Sequence, residues 1–426
     1  MPVSAGPISR ALGLGPQEVV SLIGGGGKTT LLFSLARELE TVGPVLVTTT
    51  TKIDLPRHGV VLVAANYPEV ERQITSYAGR KGWVVLGREI KEGKLLGVPP
   101  AWLEALREHF PYILVEADGS RGRPLKAHAP HEPVLPPTSS LVVILAGASA
   151  LGKPFSAEYV HRPQIMARIT GLEPGGSIQP WLVARAWQEM GARAAGAAPR
   201  ARLVFFLNQV DTGEERKKNL SWLKRLGPWG QERALVGCLK PRANLIPWAA
   251  FSPPPLAAVV LAAGASRRLG GRNKLLLPWQ GKTVIRQVVE NTLAAVPEVI
   301  VVTGYQAERV EEALRGLPVK IIRNPNYTGG QAASLQRGLE AVDPASRGAM
   351  FVLGDQPLVP PALLKTLALA FIIEEPLALY PRYRGQRGNP VLFARPTFPA
   401  LAQTTGDRGG RQLLERLGEG ARGIET

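Results

Sequence analysis

Four glycines precede a lysine and two threonines in Gly24-Gly-Gly-Gly-Lys-Thr-Thr30, between an apolar run and a helical pattern. Backbone amides from Gly24 to Gly27 and the start of the helix are suited to hold nucleotide phosphates, with Lys28 at the outer phosphates and Thr29 on magnesium. The usual long phosphate loop has glycine six residues before this lysine, where this chain has Leu22. The pattern therefore predicts a shorter GxxGKT-type loop that binds a nucleoside triphosphate, ATP or GTP, and the alternative is a purely structural turn.

Acidic and amide side chains follow other strand-like runs of the first half. Ile113-Leu-Val-Glu-Ala-Asp-Gly119 brings two carboxylates to a strand end, where Asp118 or Glu116 is expected to reach magnesium. Thr48–Thr51 offers four hydroxyls for phosphate or metal-water contacts, although threonine is also common in strands for packing reasons. Asn208-Gln-Val-Asp211 is faintly similar to the guanine-reading NKxD motif, with glutamine in place of the lysine.

Histidines, acids and strong cations crowd the segment Glu116–Pro133. His128 and His131 lie three residues apart, and His161-Arg162 follows later in the chain. Such a group is suited either to a metal ion or to an anionic substrate. The sequence leaves both interpretations open, together with ordinary polar loop residues that cap and hydrogen bond.

The second half contains another glycine-bearing loop, Leu261-Ala-Ala-Gly-Ala-Ser-Arg-Arg-Leu-Gly-Gly-Arg-Asn-Lys274. Arg268 and Lys274 would neutralise charge on the phosphates as pyrophosphate leaves. Asp355, in Val352-Leu-Gly-Asp-Gln-Pro357, is expected to hold magnesium against the phosphates, and its alternative role is a turn or helix cap. Small residues would let backbone amides approach a triphosphate, and a serine would line the nucleotide: Ala262, Ala263, Gly264 and Ser334.

Apolar strands that alternate with helical segments predict an α/β fold with sheets covered on both faces. Phe251-Ser-Pro-Pro-Pro-Leu256 is the expected boundary, because three prolines continue neither a helix nor a central strand. We expect a phosphate-loop nucleoside-triphosphatase-like domain over residues 1–251, a linker over 252–255 and a Rossmann-like nucleotidyltransferase domain, of the nucleotide-diphospho-sugar transferase type, over 256–426.

Composition narrows the class of protein. The formal net charge is +17 and the chain has one cysteine, Cys238, which excludes an internal disulfide and a multi-cysteine metal cluster. The basic residues are dispersed, which favours phosphorylated small molecules over nucleic acid as partners. Neither a signal-peptide pattern nor a membrane-spanning apolar run is seen, so we expect a cytoplasmic protein with no membrane partner.

From about Ala257 to Leu417 the chain resembles the molybdenum cofactor cytidylyltransferases. The motifs are LAAGASRRLG, KLLLP, VTGY, NPNYTGGQAASL, GDQP, RGNPVLF and TGDRGGR, in the expected order. The resemblance implies transfer of CMP from CTP to molybdopterin-bound molybdenum, with magnesium and release of pyrophosphate. The Ala262-Ala263-Gly264 form looks like that of the branch that uses CTP. Asn389 stands where relatives often have histidine, and it is expected at the acceptor together with Asp407 and Arg411. Asp407 is also a candidate ligand of a second metal ion. The segments that carry Asp407 and Arg411 are equally compatible with capped loops.

From about Val19 to Pro247 the chain resembles the YqeC family of accessory proteins for selenium-dependent molybdenum hydroxylases. The motifs are GGGGKTT, TTTTKI, VEADGSRGRPLK, HEPVLP and HRPQ. This resemblance implies a role in cofactor maturation, with an apo-hydroxylase as partner. Two alternatives stay open: a nucleotidyltransferase for another phosphorylated acceptor, such as a sugar phosphate, and a nucleotide-switched chaperone or docking module that delivers cofactor to the hydroxylase.

Overall fold

The computed structural model describes residues 5–56, 59–74, 77, 81–226, 233–239, 244–248, 256–264, 266, 272–406 and 409–426. The chain divides into two compact units. The first unit comprises Met1–Met166 with Pro174–Ser252, and the second comprises Ala167–Glu173 with Pro253–Thr426. Each unit has its own sheet, as expected of an α/β protein of two domains. The predicted linker 252–255 lies outside the described residues.

The first unit is built on a nine-stranded sheet. Its strands, and those of two small sheets beside it, are β1 Glu18–Gly24, β2 Pro44–Thr49, β3 Lys52–Asp54, β4 Val60–Val63, β5 Gly82–Gly87, β6 Glu89–Lys91, β7 Lys94–Leu96, β8 Tyr112–Glu116, β9 Leu125–Lys126, β10 Leu141–Gly147, β11 Val160–His161, β12 Arg202–Asn208, β13 Arg233–Cys238 and β14 Asn244–Trp248. The order of the large sheet is β14-β13-β12-β10-β1-β8-β2-β5-β4, and only the β13–β14 pairing is antiparallel. Because the other strands run parallel, their carboxyl ends meet at one edge, where ligands of open α/β sheets bind.

Among the described residues, seven helices lie between these strands along the chain, and α5 belongs to the first unit only as far as Met166. They are α1 Pro7–Leu12, α2 Lys28–Leu39, α3 Tyr67–Ile74, α4 Trp102–Leu106, α5 Pro163–Thr170, α6 Pro180–Ala197 and α7 Gly213–Leu226. Leu31, Leu32, Leu35, Ala36 and Leu39 recur at helical spacing, and all are buried in α2 as that periodicity predicts. They pack on the apolar face of β1, β2, β8 and β10. Strands buried on both faces explain why the sequence shows continuous apolar runs rather than alternation.

The second unit has its own, eight-stranded sheet. Its strands, with one separate two-stranded pair, are β15 Ala257–Ala262, β16 Pro278–Trp279, β17 Lys282–Thr283, β18 Glu298–Thr303, β19 Lys320–Arg323, β20 Gly348–Leu353, β21 Ala378–Tyr383, β22 Gln386–Arg387, β23 Val391–Ala394 and β24 Ala421–Glu425. The order is β19-β18-β15-β20-β23-β21-β22, with β24 paired to β21. β19, β18, β15 and β20 run parallel, whereas β23 is antiparallel to β20 and β21.

In the described part of this unit, six helices cover the sheet: α8 Val284–Leu293, α9 Ala307–Ala313, α10 Gln331–Glu340, α11 Pro361–Glu374, α12 Phe398–Ala402 and α13 Gly409–Leu417. α10 packs closely on β15, since a side chain on Gly338 would collide with Val259. This close approach fixes the N-terminus of α10 at the carboxyl edge of the sheet. Among the described residues, no helix of either unit combines the length and the apolar character needed to cross a bilayer.

Candidate functional site

The glycine loop of the first unit, residues 24–27, joins β1 to α2. Gly24, Gly26 and Gly27 have positive φ angles, which side-chain-bearing residues rarely adopt. A Cβ atom on any of the four glycines would lie within 3.0 Å of a neighbouring atom, mostly backbone of β10 and of the segment before it. The run of glycines is therefore required by close backbone packing as well as by the loop conformation.

Lys28 begins α2 and is buried, with 3% of its surface exposed. Its Nζ donates to the carbonyl of Gly24 at 2.6 Å and lies 3.1 Å from Oδ1 of Asp118. The other oxygen of Asp118 accepts from the backbone N–H of Gly24 at 2.9 Å. Asp118 therefore ties the lysine and the first glycine of the loop together from the neighbouring strand end.

Two more basic groups share the Asp118 carboxylate. Nζ of Lys126 lies 3.2 Å from it and Nε2 of His128 lies 2.6 Å from it, and all three side chains are fully buried. Burial alone would raise the pKa of Asp118, but Lys28, His128 and Lys126 together hold that pKa well below its usual range. We call Asp118, Lys28, Lys126 and His128 the Asp118 cluster.

The Asp118 cluster continues into a second carboxylate, Glu132. Lys126 donates to Glu132 at 2.9 Å, and Arg162 pairs with the same carboxylate. Burial would raise the pKa of Glu132, but the hydrogen bonds from Arg162 and Lys126 lower it. Neighbouring His161 has a pKa lowered to about 4 by burial and by the cations Arg162 and Lys126. The crowded segment thus forms an ion-pair network that supports the loop.

The histidines of that segment do not gather around one point. His128 is bound to Asp118, His131 is exposed, and His161 is half-buried. Within the described residues there is no group of three or more His, Cys, Asp or Glu side chains that could hold a metal ion. Of the three interpretations of the segment, the histidine metal site has no support among the described residues.

Thr29 and Glu116 face each other across the loop. The Thr29 hydroxyl donates to Oε2 of Glu116 at 2.9 Å, and burial raises the pKa of Glu116. A threonine hydroxyl beside a carboxylate is an oxygen pair suited to magnesium. Of the two acids left open by the sequence, Glu116 therefore lies beside Thr29, whereas Asp118 is engaged by cations.

The threonines at the end of β2 and directly after it have structural partners. Thr48 donates to the carbonyl of Leu86, Thr49 to that of Glu116, and Thr50 to that of Val134. Their hydroxyl hydrogens are therefore used to join neighbouring strands and the following loop. The packing alternative raised for these residues describes them better than a phosphate contact does.

In the second unit, a cavity of about 650 Å³ opens at the carboxyl ends of β15 and β20. Five residues predicted for the nucleotide or for catalysis line it: Ala263, Gly264, Lys274, Ser334 and Asp355. Ala262, the last residue of β15, is buried rather than lining the cavity. Arg268 and Asp407 lie outside the described residues. We call this the first cavity.

Lys274 and Asp355 face each other in the first cavity and form an ion pair. The backbone N–H of Lys274 donates to Ser266 at 3.0 Å, and Asn273 caps the short turn that carries the lysine. Both charged side chains stay partly exposed, at 41% and 34%, so ligands can reach them. Asn324 holds the Ser334 hydroxyl at 3.0 Å, which positions the first turn of α10.

A second cavity of about 300 Å³ adjoins the first, and the two share Leu261, Gln331 and Leu353 as lining residues. Asn389 and Arg411, both predicted for the acceptor, line the second cavity. Arg387 lines it too, a residue that the motif RGNPV contains but that was not singled out from the sequence. The second cavity thus offers two guanidinium groups and an amide beside a site that offers a lysine and a carboxylate.

Comparisons with known proteins match the two halves of the chain to different families. Residues 20–164 match the family model described as YqeC protein, and residues 258–421 match the MobA-like NTP transferase domain. An uncharacterised protein of Escherichia coli (strain K12), YqeC, is 37% identical over 215 residues, which is 49% of this chain and 83% of that protein.

Two relatives match the C-terminal half. The molybdenum cofactor cytidylyltransferase of Escherichia coli (strain K12) is 27% identical over 157 residues, covering 37% of this chain and 79% of that protein. The nicotine blue oxidoreductase of Paenarthrobacter nicotinovorans is 30% identical over 174 residues, covering 38% and 83%. The two relatives are named for different reactions, although both are similar to this half of the chain.

Proposed function

Because the chain belongs to the YqeC family in its N-terminal half and to the MobA-like NTP transferases in its C-terminal half, we propose that it matures a molybdenum cofactor. In this proposal the C-terminal nucleotidyltransferase moves CMP from CTP to molybdenum-bound molybdopterin and releases pyrophosphate. The N-terminal unit binds a second nucleoside triphosphate and assists the same pathway. The similarity to a molybdenum cofactor cytidylyltransferase supports this acceptor.

The two adjoining cavities are the observation that carries the proposal. Transfer of a nucleotide needs one site for a triphosphate and another, in contact with it, for the attacking group. The first cavity has a lysine beside a loop of small residues, which suits phosphates. The second presents Arg387 and Arg411, whose planar guanidinium groups suit the terminal phosphate of an acceptor.

The side chains of the first cavity would act on charge rather than on protons. Lys274 can donate to phosphate oxygens once Asp355 is engaged by a cation, because the two now neutralise each other. Asp355 would hold magnesium, which when bound supplies positive charge against the phosphates. The attacking acceptor phosphate is already anionic, so no general base is required. Arg268, which lies outside the described residues, is proposed to share with Lys274 the neutralisation of phosphate charge.

The glycine loop supports nucleotide binding in the first unit. The N–H groups of Gly24, Gly25 and Gly26 already donate to protein acceptors, so the anion would be held by the N–H groups at the start of α2, a position that favours anions. Lys28 is buried against Asp118 and the Gly24 carbonyl, so in this proposal its ammonium group would have to turn from these partners to face the outer phosphates. Thr29 and Glu116 would hold magnesium there, whereas Asp118 would position the lysine.

Mass spectrometry of the product tests the main proposal. The full chain is incubated with molybdenum-loaded cofactor, magnesium and each nucleoside triphosphate in turn. We expect the cytosine dinucleotide of the cofactor and pyrophosphate from CTP, and little product from GTP. Product from a sugar phosphate and none from the molybdenum cofactor would instead favour the other acceptor class.

A second candidate role concerns the first unit alone. Its glycine loop and Glu116 lie on a sheet of their own, as in a module with an independent nucleotide cycle. Such a unit could be a nucleotide-switched docking module for an apo-hydroxylase. A rate of nucleotide hydrolysis that rises when apo-hydroxylase is added supports this role, and an unchanged rate counts against it.

A further inference from the structure

The segment Asn208–Asp211 lies at the carboxyl end of β12, two strands from β1. β10 stands between them, and neighbouring strands are about 4.8 Å apart, so the two strand ends are separated by roughly 10 Å. That separation is comparable to the span from the phosphates of a nucleotide to its base. A nucleotide held by the glycine loop and laid across β10 would therefore bring its base to this segment.

Asn208 connects the segment directly to the glycine loop. Its Nδ2 donates to the carbonyl of Gly26 at 2.8 Å, and a Cβ atom on Gly27 would collide with the same amide group. The side chain is 4% exposed, and among the described residues its Oδ1 has no hydrogen-bond partner. A buried polar atom without a partner is rare in folded proteins and points to a ligand group that completes it.

Gln209 fixes how the chain leaves β12. Its φ angle is +63°, and its side chain accepts a hydrogen bond from Ser149 at 2.6 Å. The backbone N–H of Val210 donates to the carbonyl of Gly237 at the end of β13. Held on both sides in this way, the segment leaves Asp211 exposed at the edge of the sheet.

An exposed carboxylate at this position discriminates between purines. Guanine presents two adjacent donors, N1–H and the 2-amino group, and an ionised carboxylate can accept from both. Adenine presents an unprotonated N1 there, which a carboxylate repels. We infer that the first unit selects guanine nucleotides, with Asp211 reading the base and Asn208 joining the base-reading segment to the phosphate-binding loop. The inference rests on the proposed nucleotide binding by that loop.

Binding of hydrolysis-resistant GTP and ATP analogues to the full chain, measured by calorimetry with magnesium, tests the inference. Binding that Lys28→Ala removes is assigned to the first unit, because the second unit has its own nucleotide site. We expect GTP to bind at least about tenfold more tightly than ATP, because adenine cannot make the hydrogen bonds that guanine donates to the charged carboxylate. Equal or tighter binding of ATP overturns the inference.

The variant Asp211→Asn tests directly whether this side chain contacts the base. Xanthine has a carbonyl where guanine has the 2-amino group, so an amide can accept from N1–H and donate to that carbonyl. The variant should lose about tenfold or more in GTP affinity and gain affinity for the xanthosine analogue. Glu214→Gln removes one negative charge from an exposed residue of the following helix, and it should alter neither the GTP affinity nor the affinity for the xanthosine analogue. Unchanged guanine preference in Asp211→Asn overturns the inference, and absence of any Lys28-dependent binding defeats the proposed loop function itself.

Discussion

Asp118→Asn tests the role of the carboxylate at the centre of the Asp118 cluster. Asp118 is wholly buried and faces four donors, from Gly24, Lys28, Lys126 and His128. An asparagine side chain has one oxygen that can accept hydrogen bonds. Its amide nitrogen would replace the second carboxylate oxygen and would therefore face a donor instead of accepting from it. Two buried ammonium groups would then lack their shared counter-charge.

Breaking a buried ion pair by removing one partner costs about 3–5 kcal/mol, because a buried charge is left uncompensated. Lys126 keeps its ion pair with Glu132, whereas Lys28 keeps the carbonyl of Gly24 and the electrostatic attraction of Glu116, so most of the loss should arise at the loop. The expected loss is a large part of the roughly 5–15 kcal/mol that stabilises a typical domain.

Urea unfolding followed by tryptophan fluorescence measures this loss. All tryptophans except Trp279 precede Pro253, so the signal reports mainly on the first unit. Asp54→Asn is the control: its carboxylate is 77% exposed and pairs with Lys94 at 3.2 Å, so the variant should lose at most about 1 kcal/mol. An Asp118→Asn variant as stable as the control would refute the buried-charge argument.

Four further outcomes are expected. Asp355→Asn should lower kcat for nucleotidyl transfer by several orders of magnitude in a folded protein, because the variant loses the carboxylate proposed to hold metal against the phosphates. Arg411→Ala should raise the KM for the acceptor about tenfold with little change for CTP, as for loss of one charge-assisted hydrogen bond. Lys28→Ala should leave cytidylyl transfer nearly unchanged, since that loop belongs to the other unit. Unfolding of the first unit should become easier as the pH falls from about 6.5 towards 4, because the unfolded chain binds the proton that folded His161 refuses, and His161→Gln should reduce this dependence.

The controls for these outcomes are chosen to separate chemistry from folding. Glu375→Gln changes an exposed acid of the same unit, and transfer should survive it. Full transfer by Asp355→Asn would remove the metal assignment, and a CTP defect in Arg411→Ala equal to its acceptor defect would contradict separate cavities. Loss of transfer in Lys28→Ala would mean that the first unit contributes to the reaction. A pH dependence unaffected by His161→Gln would assign the titration to other groups.

Much of the fold followed from the apolar runs of the sequence. The apolar runs Val45–Val47, Tyr112–Val115 and Leu141–Leu145 lie in the inner strands β2, β8 and β10. Strands buried on both faces need continuous apolar side chains, so the local sequence is enough to predict their positions. The C-terminal motifs were equally informative, because loop residues at the ends of parallel strands meet at one edge.

The partners of the acidic residues could not be obtained in the same way. Glu116 and Asp118 are two residues apart on one strand end, and spacing alone did not decide which one meets Thr29. Asp118 meets Lys126 and His128 only because the following segment folds back beneath the loop. Likewise, Arg387 reaches the second cavity through the antiparallel arrangement of β21–β23, which no local pattern specifies.

The shared wall between the two cavities also bears on the order of events in catalysis. Because Leu261, Gln331 and Leu353 border both cavities, we propose that donor and acceptor occupy the two cavities at the same time. Under the proposed function, the nucleotide then passes directly between them, with no nucleotidylated enzyme in between. Such a scheme gives intersecting lines when the rate is measured against both substrates, and it gives no exchange of labelled pyrophosphate into CTP until the acceptor is present.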